Sequence, residues 1–169
     1  MRRAALLAVG LVCGLASVSR AQFAPGPRGE VLHYGLCEHG ADRNQYLQPD
    51  SAAGYGSIGD VRLLDPTDTV PLREGVGFGI EWKASGLPDR AQLVFSYRIS
   101  HPRIVRPDGR ALTVTTQELP LRIRNGEIRT TDCYFLSEQH ELVAGEWEIA
   151  IWFQGQRLAA KRFNVRAPL

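Results

Sequence analysis

The sequence lacks helical patterning, long hydrophobic runs and any excess of charge of one sign. After residue 21, no long window repeats apolar residues with the 3.6-residue period of an amphipathic helix, and no stretch is apolar enough to be a transmembrane helix. The 20 basic and 18 acidic residues nearly balance, which argues against nucleic acid or an anionic membrane as the main partner. These absences favour an all-β chain with a mixed surface.

Motifs for enzyme chemistry are also missing. There is no G-x-S-x-G nucleophile elbow, and the run 75–79 alternates glycine with apolar residues as a strand does, unlike a phosphate-binding or dinucleotide loop. Paired carboxylates for glycoside chemistry can be nominated among Asp65, Asp68, Glu81 and Glu118, but sequence does not give the distance between carboxyl groups on which such a pair depends. We therefore predict no catalytic residues and no cofactor.

The first 21 residues have the composition of a secretion signal. Two arginines precede a run of apolar or small residues from Ala4 to Val18, and small residues occupy the positions that signal peptidase requires before a cut after Ala21. A membrane anchor is the alternative, but about 15 apolar residues are too few to span a bilayer. We predict export to the periplasm or the medium. With three basic residues and no acid in this segment, the mature chain keeps 17 basic and 18 acidic residues.

Two cysteines remain after the predicted cleavage, Cys37 and Cys133. An isolated pair in an exported protein is most simply a disulfide, and two free thiols are the alternative. Cys37 is followed by Glu38 and His39, which are all metal-ligand types. No spacing typical of a zinc finger or zinc ribbon accompanies them, so we predict the disulfide and no metal site.

Alternating apolar and polar residues mark strands along most of the mature chain. We predict strands at 31–37, 61–64, 76–83, 93–99, 112–116, 128–136 and, as a closing hairpin, within 141–165. Turn signals separate them, chiefly Pro107-Asp108-Gly109 and the hairpin signal Asn125-Gly126. Residues 38–59 are polar and without a period, which indicates a long loop.

About seven to eight such strands predict one immunoglobulin-like β-sandwich, with a small β-barrel as the alternative. The expected organisation is a signal peptide at 1–21, a flexible lead-in at 22–30 that contains Pro and Gly, and the sandwich at 31–166.

The closing hairpin singles out one aromatic residue. In 147–153 the large apolar side chains at odd positions share one face, so Trp152 is expected on the opposite face. An outward tryptophan can stack on a sugar or anchor a protein partner, although it can also simply cover its own sheet. Trp152 and the loop tyrosines Tyr46 and Tyr55 are the binding candidates.

The four histidines carry weak signals. His101 precedes Pro102, which favours an extended backbone at a strand end and a hydrogen-bonded ring. His140 stands beside a glutamate but without the second histidine of a zinc motif. His33 and His39 are not accompanied by cysteines or histidines at the spacing of a zinc finger or zinc ribbon, and no histidine is predicted to be catalytic.

Several short motifs, taken in order, resemble a family of short exported bacterial proteins classified only as a conserved domain of unknown function. The matching pieces are Tyr34-Gly35, Gly75 to Gly79, His101-Pro102, Pro107-Asp108-Gly109, Glu141 to Trp147 and Phe163-Asn164-Val165. They span roughly residues 31–166, and Ala144 stands where such families usually place proline. The resemblance implies one β-sandwich domain in the cell envelope and brings no catalytic residues with it.

These observations together predict an exported, non-catalytic β-sandwich that binds a protein or a component of the cell envelope. The alternative is a carbohydrate-binding module that uses Trp152, Tyr46 and Tyr55. The third hypothesis is a hydrolytic or metal-dependent enzyme that uses some of the histidines.

Overall fold

A computed structural model describes residues 26–89 and 92–167, so the predicted signal segment lies outside the described residues. The described chain forms nine strands and one 3₁₀ turn at Gln139–Glu141. The strands are β1 (Arg28–Leu47), β2 (Tyr55–Leu63), β3 (Thr69–Pro71), β4 (Gly77–Ser85), β5 (Leu93–Val105), β6 (Ala111–Leu121), β7 (Ile128–Phe135), β8 (Gly145–Phe153) and β9 (Gln156–Arg166). β1 begins inside the expected lead-in, and β3 is too short to show alternation.

The strands form a four-stranded sheet in the order β2-β1-β4-β7 and a five-stranded sheet in the order β3-β9-β8-β5-β6. Every pair is antiparallel except β3 with β9. The two sheets pack face to face through aromatic rings: Trp82 lies 5.5 Å from Phe95, and Phe78 lies 5.0 Å from Phe163 between ring centroids. The predicted β-sandwich is confirmed.

The closing hairpin is the best-predicted part of the fold. β8 pairs with β9 through a turn at Gln154 and Gly155, whose φ angles of 49° and 80° fit a two-residue hairpin. The predicted inward side chains of β8 are all buried: Trp147, Ile149, Ile151 and Phe153. Burial of each such side chain contributes about 1.5–3 kcal/mol to the free energy of folding. The inward face of β8 is therefore a large part of the hydrophobic core.

Asn125-Gly126 forms the predicted turn but not the predicted hairpin. Both residues have positive φ, and the turn closes a single bridge between Arg124 and Glu127. Beyond it the chain changes sheet, because β6 pairs with β5 whereas β7 pairs with β4. The Asn125-Gly126 dipeptide determines where the chain reverses. Which strand each flanking strand pairs with depends instead on how its apolar face is buried.

The prediction of a long loop at 38–59 is wrong. The first half of β1 pairs with β4, and its second half continues as a hairpin with β2. We name residues 38–63 the arm. A register shift between His39 and Arg43 interrupts the alternation, and most described arm residues are exposed or half-buried. A strand pair without a buried face leaves no hydrophobic period in the sequence, which explains the error.

The predicted disulfide is present and joins Cys37 at the root of the arm to Cys133 on β7, 96 residues away. The two cysteines belong to β1 and β7, which lie on either side of β4. In a flat sheet, two strands separated by a third lie about 10 Å apart. The two Cα atoms are only 6.4 Å apart. β1 and β7 therefore bend toward each other over β4 at this point.

Two glycines of β4 leave the room for this crossing. A Cβ on Gly79 would lie 2.7 Å from the sulfur of Cys133 and closer still to the carbonyl oxygen of Asp132. A Cβ on Gly77 would overlap the ring of Phe135, which stacks on the ring of His39 at 3.5 Å between centroids. Glycine within a strand marks a close approach of neighbouring groups: the sulfur of Cys133 and the carbonyl group of Asp132 at Gly79, and the ring of Phe135 at Gly77.

Gly79→Ala is expected to lower the free energy of unfolding by about 1–3 kcal/mol, because the added methyl group has no space beside the disulfide. Denaturant unfolding followed by tryptophan fluorescence measures the change. Gly26→Ala is the matched control, since a Cβ there meets nothing within 4 Å. Equal stability of the two variants would contradict this account of Gly79.

Candidate functional site

The tip of the arm docks on the five-stranded sheet. The backbone N–H of Ala52 donates to Oγ1 of Thr115 at 3.1 Å, and Nε2 of Gln48 donates to the carbonyl oxygen of Thr116 at 3.0 Å. Ala52 is fully buried in this contact. Arg106 adds a hydrogen bond of 3.2 Å to the carbonyl oxygen of Ser51. The arm thus bridges the two sheets at the side where β6 and β7 are edge strands.

The 3₁₀ turn holds the arm from the other direction. The hydroxyl of Tyr55 donates to Oε1 of Glu138, and Nε2 of His140 donates to the carbonyl oxygen of Ala52, both at 2.9 Å. These contacts connect residues more than 80 positions apart in the chain. They leave a cleft between the arm, β7 and the inner face of β5 and β6.

This cleft encloses about 500 Å³ of empty space, part of which is open to solvent. Its lining combines aromatic rings with uncharged polar side chains, among them Tyr55, Tyr97, Phe135, Gln48 and Gln117. A mixed lining of this kind, apolar rings with a few polar groups, is typical of small-molecule sites.

Tyr97 is a buried residue of the cleft lining. It is 4% exposed, and its hydroxyl is buried without a hydrogen-bond partner among the described residues. Burial raises the pKa of Tyr97 well above 10.0, and the nearby carboxyl group of Asp132 adds to the shift. The hydroxyl is therefore protonated at neutral pH and can both donate and accept a hydrogen bond.

Glu141 is a fully buried carboxyl group at the cleft. One oxygen accepts a hydrogen bond from the hydroxyl of Tyr134, and the other accepts from the backbone N–H groups of Ser137 and Glu138 at 3.0 and 2.9 Å. Burial raises the pKa of Glu141, while these hydrogen bonds oppose the shift. Since both oxygens are engaged, Glu141 holds the 3₁₀ turn in place.

Asp132 is a second carboxyl group near Tyr97. Its Oδ2 accepts a hydrogen bond of 2.6 Å from Nε1 of Trp82. Burial raises the pKa of Asp132, and the indole hydrogen bond partly offsets the shift. This pair gives the buried tryptophan its polar partner, as indole nitrogens in cores require.

The three predicted binding residues do not form one platform. Tyr55 lines the cleft, and Tyr46 lies opposite Gly56 in the arm, with its ring over the glycine backbone. Trp152 belongs to the five-stranded sheet, on the face opposite to the core residues of β8. Tyr46 pairs with Gly56 and Tyr55 pairs with Leu47 on adjacent rows of the hairpin, so the two tyrosine side chains point to opposite faces of the arm. Trp152 lies on a third, separate surface.

Trp152 is half-buried on that outer face, and its indole nitrogen is buried without a hydrogen-bond partner in the described part of the chain. In the register of the sheet it lies between Ser96 of β5 and Arg157 of β9. Ala150, two residues earlier on the same face, pairs with Arg98. Small residues and exposed arginines thus surround the ring.

The histidines lie in separate environments. His33 is 3.8 Å from Glu81, which is itself hydrogen-bonded to Arg129. His101 donates from Nδ1 to the carbonyl oxygen of Pro102 at 2.8 Å, and burial lowers its pKa. Across residues 26–89 and 92–167, no three His, Cys, Asp or Glu side chains converge in a way that could hold a metal ion.

The four carboxylates considered for glycoside chemistry also lie apart in the fold. Glu81 is on β4 and Glu118 on β6, which belong to different sheets. Asp65 and Asp68 lie in the connection before β3, where Asp68 is 4.0 Å from Lys161.

Sequence reasoning missed Tyr97 and Glu141 as site residues. Tyr97 is in phase with the apolar residues Leu93, Phe95 and Ile99, and all four are buried. A hydroxyl on a core-facing position needs a polar partner, so the alternation itself contained a signal. Glu141 had no such signal, because its partners come from a turn that the sequence pattern does not reveal.

Comparison with solved structures shows the class of fold. An immunoglobulin-like protein from Pseudomonas aeruginosa is similar with a TM-score of 0.56 and 23% sequence identity, over 85% of this chain and 98% of that chain. This likeness concerns the fold alone, and it shows that the sandwich is immunoglobulin-like. The model of the family "Domain of unknown function (DUF3859)" matches residues 27–165, so the chain belongs to that family, as the resemblance in its motifs predicted.

Other solved structures are less similar to this chain. A Pseudomonas fluorescens alkylpurine DNA glycosylase bound to DNA containing an abasic site analog has a TM-score of 0.40 and 16% identity, over 59% of this chain and 28% of that chain. No curated protein matches the sequence. Within the described residues, no helix is long and apolar enough to cross a membrane.

The raised pKa of Tyr97 predicts a loss of stability in alkaline solution. In the unfolded chain this phenol ionises near its ordinary pKa of 10.0, whereas the folded protein keeps it protonated. The stabilisation is therefore complete below pH 10 and is lost as the pH rises above that value. Guanidinium unfolding of wild type and Tyr97→Phe at pH 8 and pH 11 measures it. We expect a smaller loss for the variant, and identical losses would refute the prediction.

Proposed function

We propose that this chain is an exported, non-catalytic binding domain that contacts a protein of the cell envelope through the outer face of its five-stranded sheet. The observation that carries the proposal is Trp152, an outward-facing tryptophan whose buried indole nitrogen has no hydrogen-bond partner among the described residues. Trp152 is half-buried, so a partner that covers this ring would bury its remaining exposed surface.

The composition of this face supports a protein partner. Tryptophan and arginine are the residue types that most often carry the binding energy of protein interfaces. Arg98 and Arg157 are exposed on the rows next to Trp152.

The disulfide supports export. Disulfides form and persist in oxidising compartments such as the periplasm and are rare in the cytosol. The bond between Cys37 and Cys133 lies at the root of the arm and is part of the fold. This agrees with the secretion signal that the sequence predicts at residues 1–21.

The environments of the chemically reactive side chains support a non-catalytic role. His101 and His140 are engaged by backbone carbonyl groups. Glu141 has both carboxylate oxygens occupied by three donors. A general base must be within reach of a substrate proton, and these groups are used for structure.

Trp152→Ala is expected to abolish capture of the envelope partner, because removal of a central interface tryptophan typically costs 2 kcal/mol or more, about 30-fold in affinity. The purified protein is cross-linked in an envelope extract, and the adducts of wild type and variant are compared by mass spectrometry. The expected result is an adduct that wild type forms and Trp152→Ala loses.

Leu64→Ala is the matched control, since Leu64 is also a large apolar residue, 46% exposed, but lies in the connection after β2. It should retain the wild-type adduct. Loss of the adduct in both variants, or in neither, would contradict the assignment of this face.

A further inference from the structure

The cleft beneath the arm is a second surface, separate from Trp152, and its lining specifies a ligand. One residue of its lining, Tyr97, has a buried hydroxyl that no described residue satisfies. Buried hydroxyl groups in folded proteins are nearly always hydrogen-bonded. A partner for this hydroxyl would have to enter through the cleft.

The charge of the lining excludes an anion. None of the described residues that line the cleft is a lysine, arginine or histidine. An anionic ligand would thus have to lose its hydration without a positive partner, which is unfavourable at a half-enclosed site.

A cation is also disfavoured. Glu141 is the acidic residue among the described lining residues, but it is fully buried. Its two oxygens already accept hydrogen bonds from Tyr134, Ser137 and Glu138. A cation would therefore find no available counter-ion, and the ligand that fits is electrically neutral.

The uncharged polar groups of the lining can each both donate and accept hydrogen bonds. Gln48 uses its amide nitrogen on Thr116, which leaves its carbonyl oxygen as an acceptor. Gln117 contributes a further amide group to the lining, and Ser57 contributes a hydroxyl group. Such groups match ligand hydroxyls, which also donate and accept.

Aromatic rings complete the lining. Tyr55 and Phe135 both line the cleft, Tyr55 from the arm and Phe135 from β7. Ring faces pack well against the apolar C–H surface of a sugar, while the hydroxyls of the sugar reach the amides.

We propose that the cleft beneath the arm binds a neutral sugar, with the buried hydroxyl of Tyr97 as one of its hydrogen-bonding groups. The ligand is either a free monosaccharide or the terminal residue of an envelope glycan, since both present the same ring and hydroxyls. The proposal goes beyond the protein partner of the Trp152 face and stands on different residues.

Tyr97→Phe removes only the hydroxyl and tests the proposal. Ligand-observed NMR with neutral methyl glycosides, up to about 10 mM, should show at least one that binds wild type. The variant should bind that glycoside about tenfold more weakly, because one hydrogen bond is lost. Gln117→Leu is a second variant with the same expected direction, and circular dichroism verifies that both are folded.

Tyr34→Phe is the matched control, because Tyr34 packs against Phe163 and Lys161 rather than lining the cleft, and its affinity should equal that of wild type. A glycan that ends in the same sugar distinguishes the two sources: binding of both ligands indicates a chain end, and binding of the glycoside alone indicates a free sugar. Absence of binding by every neutral glycoside, preference for glucuronic acid or glucosamine, or equal affinity of Tyr97→Phe and wild type would overturn the proposal. Trp152→Ala should retain sugar binding, so failure of the two proposals can be told apart.

Discussion

The disulfide between Cys37 and Cys133 is the constraint on which the arm and the cleft depend. It joins the two neighbours of β4 across that strand, where Gly79 leaves room for the sulfur. β1 is thereby bent at the residue where its pairing passes from β4 to β2. The chain-entropy model gives such a long loop on the order of 4–5 kcal/mol of stabilisation. The geometric effect matters more here, because it directs the arm over β7 toward the other sheet.

A sandwich with edge strands on both sheets has an open side, and the arm covers it at β6 and β7. The cover is polar: hydrogen bonds of Ala52, Gln48, Tyr55 and His140 hold it instead of an apolar face. Polar contacts leave room between the elements that packed hydrocarbon would fill. The cleft with its Tyr97 hydroxyl is the result, and the outer face around Trp152 is a second surface on another part of the sandwich.

The strands of the two sheets could be predicted because a strand with one buried face alternates apolar and polar residues along the sequence. Trp147 to Phe153 and Leu93 to Ile99 are examples. The arm was not predicted because most of its described residues are exposed or half-buried. The change of sheet after Asn125-Gly126 was not predicted because turn chemistry does not specify a strand's partner. The number of cysteines and the predicted export were enough to predict the disulfide. They did not predict that it joins the two strands on either side of β4. Of the residues that line the cleft, the sequence analysis named Tyr55 as a binding candidate. It did not name Tyr97, because Tyr97 alternates in phase with the apolar core residues of β5.

Backbone hydrogen exchange of the arm tests the central claim most directly. In the native protein, amides of β2 and of the second half of β1 should be protected as paired strands are. In the double variant Cys37→Ser with Cys133→Ser, the account predicts that this protection falls selectively, while β5 and β8 in the five-stranded sheet keep theirs. Fast exchange of the arm in the native protein, or unchanged protection in the double variant, would contradict the claim that the disulfide positions the arm.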